Sequence, residues 1–248
     1  MKITLLGHYD LASLYALNRI LSGAPEHSYT VFLSGAQDAS SEPPQPLQRL
    51  AETDRHLSER FLKDAKPSPI LRETRDLPAP NRGDGLARLR STDPDLIVSI
   101  RYRRILREEA IAVPRHGVLN LHSGILPDYR GVMATFWAML NGETEIGSTL
   151  HRIVDSGIDT GPIIRISRQP LQAKASYLDN VLSLYRPGCE AILAAIAEIG
   201  RGEEPAARQQ IAGSGRYFST PETADLSRFH DQGGKLADGA ELDSLSPT

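Results

Sequence analysis

Three polar residues stand out in this chain by type and spacing: Asn120 and His122 at the end of an apolar run, and Asp159 in a glycine-punctuated loop. An amide, an imidazole and a carboxylate together suit acyl-type transfer. The Asn120 amide can donate to an oxyanion, a contribution often worth about 3–4 kcal/mol of barrier. An imidazole titrates near neutrality, so His122 can pass protons or support developing charge. Asp159 can orient the imidazole or take the proton released by an attacking amine, directly or through a water. No serine or cysteine nucleophile is required. Ser123 lacks the G-x-S-x-G elbow, and the single cysteine, Cys189, falls in a predicted packing helix. A metal-dependent hydrolase built on His122, His151 and Asp159 is the competing chemistry, which a chelator would separate; the transfer reading needs no metal.

The flanking elements must bring these groups together. Gly117–Leu121 reads as a strand, on which residues two apart share a face, so Asn120 and His122 project together. Asp-Ser-Gly-Ile-Asp-Thr-Gly-Pro (155–162) is a loop between predicted strands Ser148–Val154 and Ile163–Pro170. Upstream, Ile3–Leu6 reads as a strand ending at Gly7, Leu11–Leu21 as a helix capped by Asp10, and Thr30–Leu33 as a strand. This βαβ pattern predicts a parallel sheet, whose carboxyl edge is where ligands bind. Residues 36–46 are expected as loop and Leu47–Lys63 as an amphipathic helix. The proline-rich stretch Pro67–Gly85 allows at most a short strand at Ile70-Leu71. Leu86–Arg90 should end a helix, Asp95–Ile100 is the clearest buried strand, and Ala134–Leu140 is a helix. Tyr177–Ile199 is a long apolar helix that Pro187-Gly188 should kink or split. A polar tail with aromatic residues Tyr217, Phe218 and Phe229 follows. Taken singly the site residues have ordinary structural explanations, since polar strand ends satisfy backbone groups and Asp favours turns. His151 is equally a core histidine or a neighbour of the site.

Composition narrows the class. With 248 residues, 40% of them hydrophobic and 24% charged, the chain can bury a full core. A net charge of −3 gives no general pull toward nucleic acid or anionic lipid. The run Arg101, Arg103, Arg104 and Arg107 reads as a solvated basic face. One cysteine excludes intrachain disulfides and fits a reducing cytoplasm. No apolar stretch approaches the roughly 20 residues that span a bilayer.

The run Asn120-Leu-His-Ser-Gly-Ile-Leu-Pro-Asp-Tyr-Arg-Gly131 resembles the signature of the folate-dependent formyltransferases. Gly147-Ser-Thr-Leu-His151 and Gly157-Ile-Asp-Thr-Gly-Pro162 resemble the family's next two blocks, in the same order. Asp95-Leu-Ile-Val-Ser-Ile and Arg104-Ile-Leu106 resemble its pterin-holding strand and loop. The resemblance implies a Rossmann-like α/β domain over residues 1–200, with a mostly parallel sheet. Residues 201–248 form a short C-terminal extension whose last residues are expected to be disordered. The implied cosubstrate is 10-formyltetrahydrofolate and the implied catalytic residues are Asn120, His122 and Asp159. The pterin would lie between Arg103, Arg104, Ile105 and Leu106 on one side and Val154, Asp155 and Gly157 on the other.

The acceptor is expected to be a small-molecule amine, a nucleotide-linked amino sugar first, met by Tyr9, Tyr129, Arg130 and Tyr217. A hydroxyornithine-type amine is the alternative, followed by methionyl-tRNA and by a non-catalytic folate-binding module. The chain lacks a glycine-rich phosphate loop after the first strand, where Gly7-His8-Tyr9-Asp10 stands. Neither nucleic acid nor membrane is an expected partner, and a homodimer is a candidate assembly.

Overall fold

The computed structural model describes residues 1–35, 43–211 and 213–245. In chain order the elements are β1 (Lys2–His8), α1 (Leu11–Gly23), β2 (Ser28–Ser34), α2 (Gln45–Asp64), α3 (Gly83–Ser91), β3 (Leu96–Ile100), α4 (Glu108–Ile111) and β4 (Val118–His122). They continue with β5 (Tyr129–Gly131), α5 (Ala134–Leu140), β6 (Glu145–Ile153), β7 (Ile163–Pro170), α6 (Tyr177–Ser183), α7 (Tyr185–Gly200), β8 (Arg216–Phe218), α8 (Thr223–Asp231) and α9 (Glu241–Ser244). The main sheet has the order β2-β1-β3-β4-β6-β7. Its first four strands are parallel, while β6 runs antiparallel to both β4 and β7. A hairpin through a short loop allows the β6–β7 reversal, which a parallel pair would need a crossover to achieve.

Strand alternation sorts the core onto two faces. Ile3 and Leu5, Leu96 and Val98, and Leu119 and Leu121 enter the large cluster built with α1 and α7. Leu6, Ile97 and Val118 enter a second cluster with Phe32, Leu86 and Leu106. Asn120 and His122 therefore share the face of Val118, at the end where that cluster stops. Asp10 caps α1 by accepting from Ser13 N at 2.8 Å, as its position in the sequence predicts.

The chain beyond residue 200 is woven into the same body. Leu226 and Phe229 of α8 belong to the large cluster, and Phe229 lies 4.7 Å from the Phe136 ring. β8 pairs in parallel with β5. Three-residue strands carry too little alternation to be legible in sequence, and this pair was not expected.

Three local expectations change. Ile70-Leu71 is not a strand; Pro69–Arg72 forms a 3-10 turn, with proline at its start where no backbone donor is needed and Leu71 buried. The apolar segment after Tyr177 breaks at Leu184 rather than at Pro187, which sits in the first turn of α7, where its missing N–H costs no helical bond. β6 starts three residues earlier than expected, at Glu145. Part of the expected 36–46 loop and residues 246–248 lie outside the described residues. Among the described residues no helix is long and apolar enough to cross a membrane.

Candidate active site

Asn120 on β4 stands opposite His151 on antiparallel β6, and its Nδ2 is 3.0 Å from His151 Nε2. His151 Nδ1 lies 2.9 Å from the Arg152 carbonyl. A carbonyl only accepts, so Nδ1 carries a hydrogen, and Nε2 stands between the Asn120 amide at 3.0 Å and Asp159 Oδ1 at 3.4 Å. The Asn120 amide is thereby held beside His151, where an N–H can meet an oxyanion.

His122 is 7% exposed. Its Nε2 donates to the Tyr129 carbonyl at 2.6 Å, and its Nδ1 lies 3.4 Å from Asp159 Oδ2. The ring reaches that carbonyl only because residue 124 is glycine. A Cβ there would lie 2.6 Å from His122 Nε2 and 2.7 Å from the Tyr129 oxygen.

Asp159 joins the two imidazoles. Its Oδ1 is 3.4 Å from His151 Nε2, and Oδ2 accepts from Gly131 N at 2.9 Å. The residue holds φ +55, in the left-handed region that Asp tolerates better than most side chains. Gly131, at φ +98, has no such latitude: a Cβ would sit 2.2 Å from the Phe218 carbonyl of β8. Burial by itself would raise the Asp159 carboxyl. The charge of His122, the hydrogen bond and charge of His151 and the Gly131 N–H overcome it and hold the group at about 2. So acidic a carboxylate is a weak base. Of the two roles open to it from sequence, holding and stabilising an imidazole is the one this geometry suits.

The structure thus brings Asn120, His122 and Asp159 together, and makes His151 their link. His151 was legible as a histidine four residues into a block (147–151), without a signal to separate it from a core histidine. Nothing in the sequence marked Gln210, whose side chain bonds the carbonyls of Asp159 and Gly161.

The loop after β3 carries Arg103 to Leu106. Ile105 is 52% exposed, whereas Leu106 is buried in the second cluster, so only Ile105 presents an apolar side chain outward. Asn81 clamps this loop, donating to the Ile105 carbonyl at 2.8 Å and accepting from Arg107 N at 2.7 Å. The basic run is not one solvated face: Arg101 pairs with buried Asp10 at 2.7 Å, and Arg104 grips both oxygens of Asp76. A cavity of about 780 Å³ lies against the outer side of the loop, lined by Asn81, Arg82, Arg103, Arg104, Ile105 and Arg107 among others. Asn120, His122 and Asp159 do not line it. On the loop after β6, Val154 and Ile158 are exposed, and Asp155 accepts from Gly157 N at 2.7 Å.

The expected acceptor residues divide. Tyr9 and Tyr217 are exposed, and the Tyr217 ring lies over Gly131. Tyr129 is occupied: its hydroxyl donates to Glu143 at 2.7 Å and its ring stacks on Phe218 at 5.3 Å. Arg130 is half-buried, with its Nε unpaired among the described residues. Cys189 is buried, and desolvation pushes its thiol up to about 12, which suits packing and not nucleophilic attack.

The sequence profile described as formyl transferase matches residues 59–181. A methionyl-tRNA formyltransferase of Burkholderia multivorans is 30% identical over 236 residues, covering 89% of this chain and 66% of the relative. The chain is similar to the formyl transferase family. A second methionyl-tRNA formyltransferase, from a Synechococcus species, is 31% identical over 143 residues, 55% of this chain and 44% of the relative. The chain thus spans less than half the length of that curated relative. Among solved structures, the N-formyltransferase of Helicobacter canadensis in complex with folinic acid and dTDP-3-aminofucose superposes with a TM-score of 0.59. It is 21% identical, over 89% of this chain and 71% of that one, a likeness of fold. The Rossmann-like formyltransferase fold with a mostly parallel sheet is the architecture described above.

Proposed function

We propose that this chain transfers the formyl group of 10-formyltetrahydrofolate to the primary amine of a small metabolite, a nucleotide-linked amino sugar in first place. The observation that carries the reading is the Asp159 carboxylate set between His122 and His151, with the Asn120 amide held by His151. The neutral amine attacks the formyl carbon and a tetrahedral oxyanion forms. His122 takes the proton that the attacking nitrogen must lose, an N–H of Asn120 and the imidazolium so formed stabilise the oxyanion, and the Asp159 carboxylate faces that imidazolium. The C–N bond to the folate then breaks as the imidazolium returns its proton to the leaving nitrogen, and the N-formylated amine and tetrahydrofolate result.

Exposed large apolar side chains are informative where they gather at a site. Ile105, Val154 and Ile158 stand on the two blocks assigned to the pterin, and they fit a flat ring with polar edges read by backbone groups. Tyr9 and Tyr217, with Arg130, offer an aromatic surface and a cation for a nucleotide diphosphate. The N-formyltransferase described as bound to folinic acid and dTDP-3-aminofucose shares this fold and supports the sugar reading. The single buried thiol fits a reducing cytoplasm.

Methionyl-tRNA is the second reading, and the names of the curated relatives favour it. The two are separated by assaying tetrahydrofolate release with dTDP-, GDP- and UDP-linked amino sugars, hydroxyornithine and charged initiator tRNA. Formylation of at least one amino sugar, and none of the tRNA, is expected. Activity on tRNA or hydroxyornithine alone would overturn the sugar assignment and leave formyl transfer standing.

A further inference from the structure

We propose that Gln210 is a positioning residue for the Asp159 carboxylate, holding the left-handed turn that aims it between His122 and His151. Its Nε2 donates to the Asp159 carbonyl at 2.9 Å and to the Gly161 carbonyl at 2.7 Å. Both partners can only accept, which fixes the amide with its nitrogen toward the loop. The amide oxygen is buried without a hydrogen-bond partner among the described residues. A glutamine that leaves one polar atom unsatisfied while making two bonds to a single turn is poorly explained as filler.

The turn needs such a clamp. Asp159 has φ +55, a conformation disfavoured for residues with a side chain. In that conformation its carboxylate reaches two imidazoles and a backbone N–H. Gln210 is itself anchored, because Arg208 and Ile163 exchange two backbone hydrogen bonds of 2.8 Å, fastening this stretch antiparallel to the end of the loop. Farther along, β8 lies on β5, Val132 N donates to the Phe218 carbonyl at 2.8 Å, and Gly131 of β5 donates to Asp159 Oδ2. Gln210 and β8 therefore hold the carboxylate from both sides: Gln210 grips the turn that bears it, and β8 supports the strand that donates to it. Without the clamp, the turn can relax to negative φ and swing the carboxylate away from the histidines.

The effect on rate rests on the formyl-transfer reading, but the carboxylate's placement does not, so the first readout uses no substrate. With 13C-labelled aspartate, the Asp159 carboxyl of the wild-type chain stays ionised down to pH 3. In Gln210→Met, which keeps length and loses both donors, it titrates with a midpoint above pH 3, and Gln210→Ala behaves alike. Melting is followed in parallel so that only folded protein is compared. The second readout is kinetic: kcat falls about 10- to 100-fold, as expected for misplacement of a catalytic group, while KM for the formyl donor stays within about twofold. A purely structural role would lower the melting temperature and leave both the titration and the kcat of folded enzyme unchanged; that result overturns the assignment. Absence of formyl transfer in the wild type would remove the functional reading, while the titration still decides the role of Gln210.

Discussion

Two carboxylates at the edge of this sheet are treated in opposite ways. Asp159, beyond β6, is held at about 2, and Asp54 of α2, beside the end of β1, is pushed up to about 7. Burial raises both, so desolvation does not distinguish them; their neighbours do. Asp159 faces two imidazoles and a donating N–H. Asp54 faces the Asp10 carboxylate, whose charge adds to the penalty, and receives one bond from Leu11 N at 3.3 Å with partial relief from Arg101 and Arg103. Arg101, which might have balanced it, is committed to Asp10 at 2.7 Å. Both regions carry a residue with a side chain in the left-handed region, Arg101 at φ +56 and Asp159 at φ +55. At the end of β3 the conformation serves a buried ion pair that secures the cap of α1. At the end of β6 it serves a carboxylate aimed at histidines. One region holds the fold, and the other holds charge where chemistry needs it.

Substitutions should separate the two by readout. Asn120→Ala and His122→Ala should each lower kcat by about 10²–10³ with melting little changed, and the double variant should lose far less than the product. Steady-state kinetics on folded enzyme check this; simple additivity would mean the residues do not act on one intermediate. Arg101→Met should do the reverse. It leaves Asp10 buried and unpaired, so stability should drop by about 3–5 kcal/mol in urea denaturation while the kcat of folded protein holds within a few-fold. A variant of full stability and no activity would move Arg101 into the site.

His151→Phe should cost roughly tenfold in kcat, because the Asn120 amide loses its fixed orientation while His122 keeps its contact with Asp159. If kcat is unchanged, His151 is a core histidine.

The smallest effect is on pH dependence. A carboxyl raised from 3.8 to about 7 on folding contributes stability that is complete below pH 3.8 and lost as pH rises through 7. His8, lowered by burial from 6.5 to about 4, contributes stability present above pH 6.5 and lost as pH falls through 4. The two oppose each other between pH 4 and 6.5. Asp54→Asn removes one of them, and melting temperature should then climb more steeply with pH across that window. An unchanged slope would show that Asp54 ionises normally.

The parts of this molecule that repeat a period or a residue type were legible in advance. The apolar runs Asp95–Ile100 and Gly117–Leu121 marked the strands, and the two-residue period of strand side chains set Asn120 and His122 on one face. Asp10 before an apolar helix marked a cap. What remained hidden depends on long-range contacts without local pattern. The β5–β8 pair is three residues on each side and joins segments some 87 positions apart. Gln210 acts through its amide on a turn 49 residues upstream. Leu106 sat in the predicted cofactor loop, but its apolar side chain is equally suited to the core, and packing against Leu6 and Ile97 decided for the interior. The arginine run read as one surface because sequence does not show that Asp10 and Asp76 return to meet it.

The most direct test follows labelled carbon. With 10-formyltetrahydrofolate carrying 14C in the formyl group and a panel of amine acceptors, the wild-type chain should move label from folate to amine in equal amounts. Asp159→Asn should do so 10²–10⁴-fold more slowly. Label appearing as formate whether or not an amine is present, or equal transfer by the variant, would contradict formyl transfer by Asn120, His122 and Asp159.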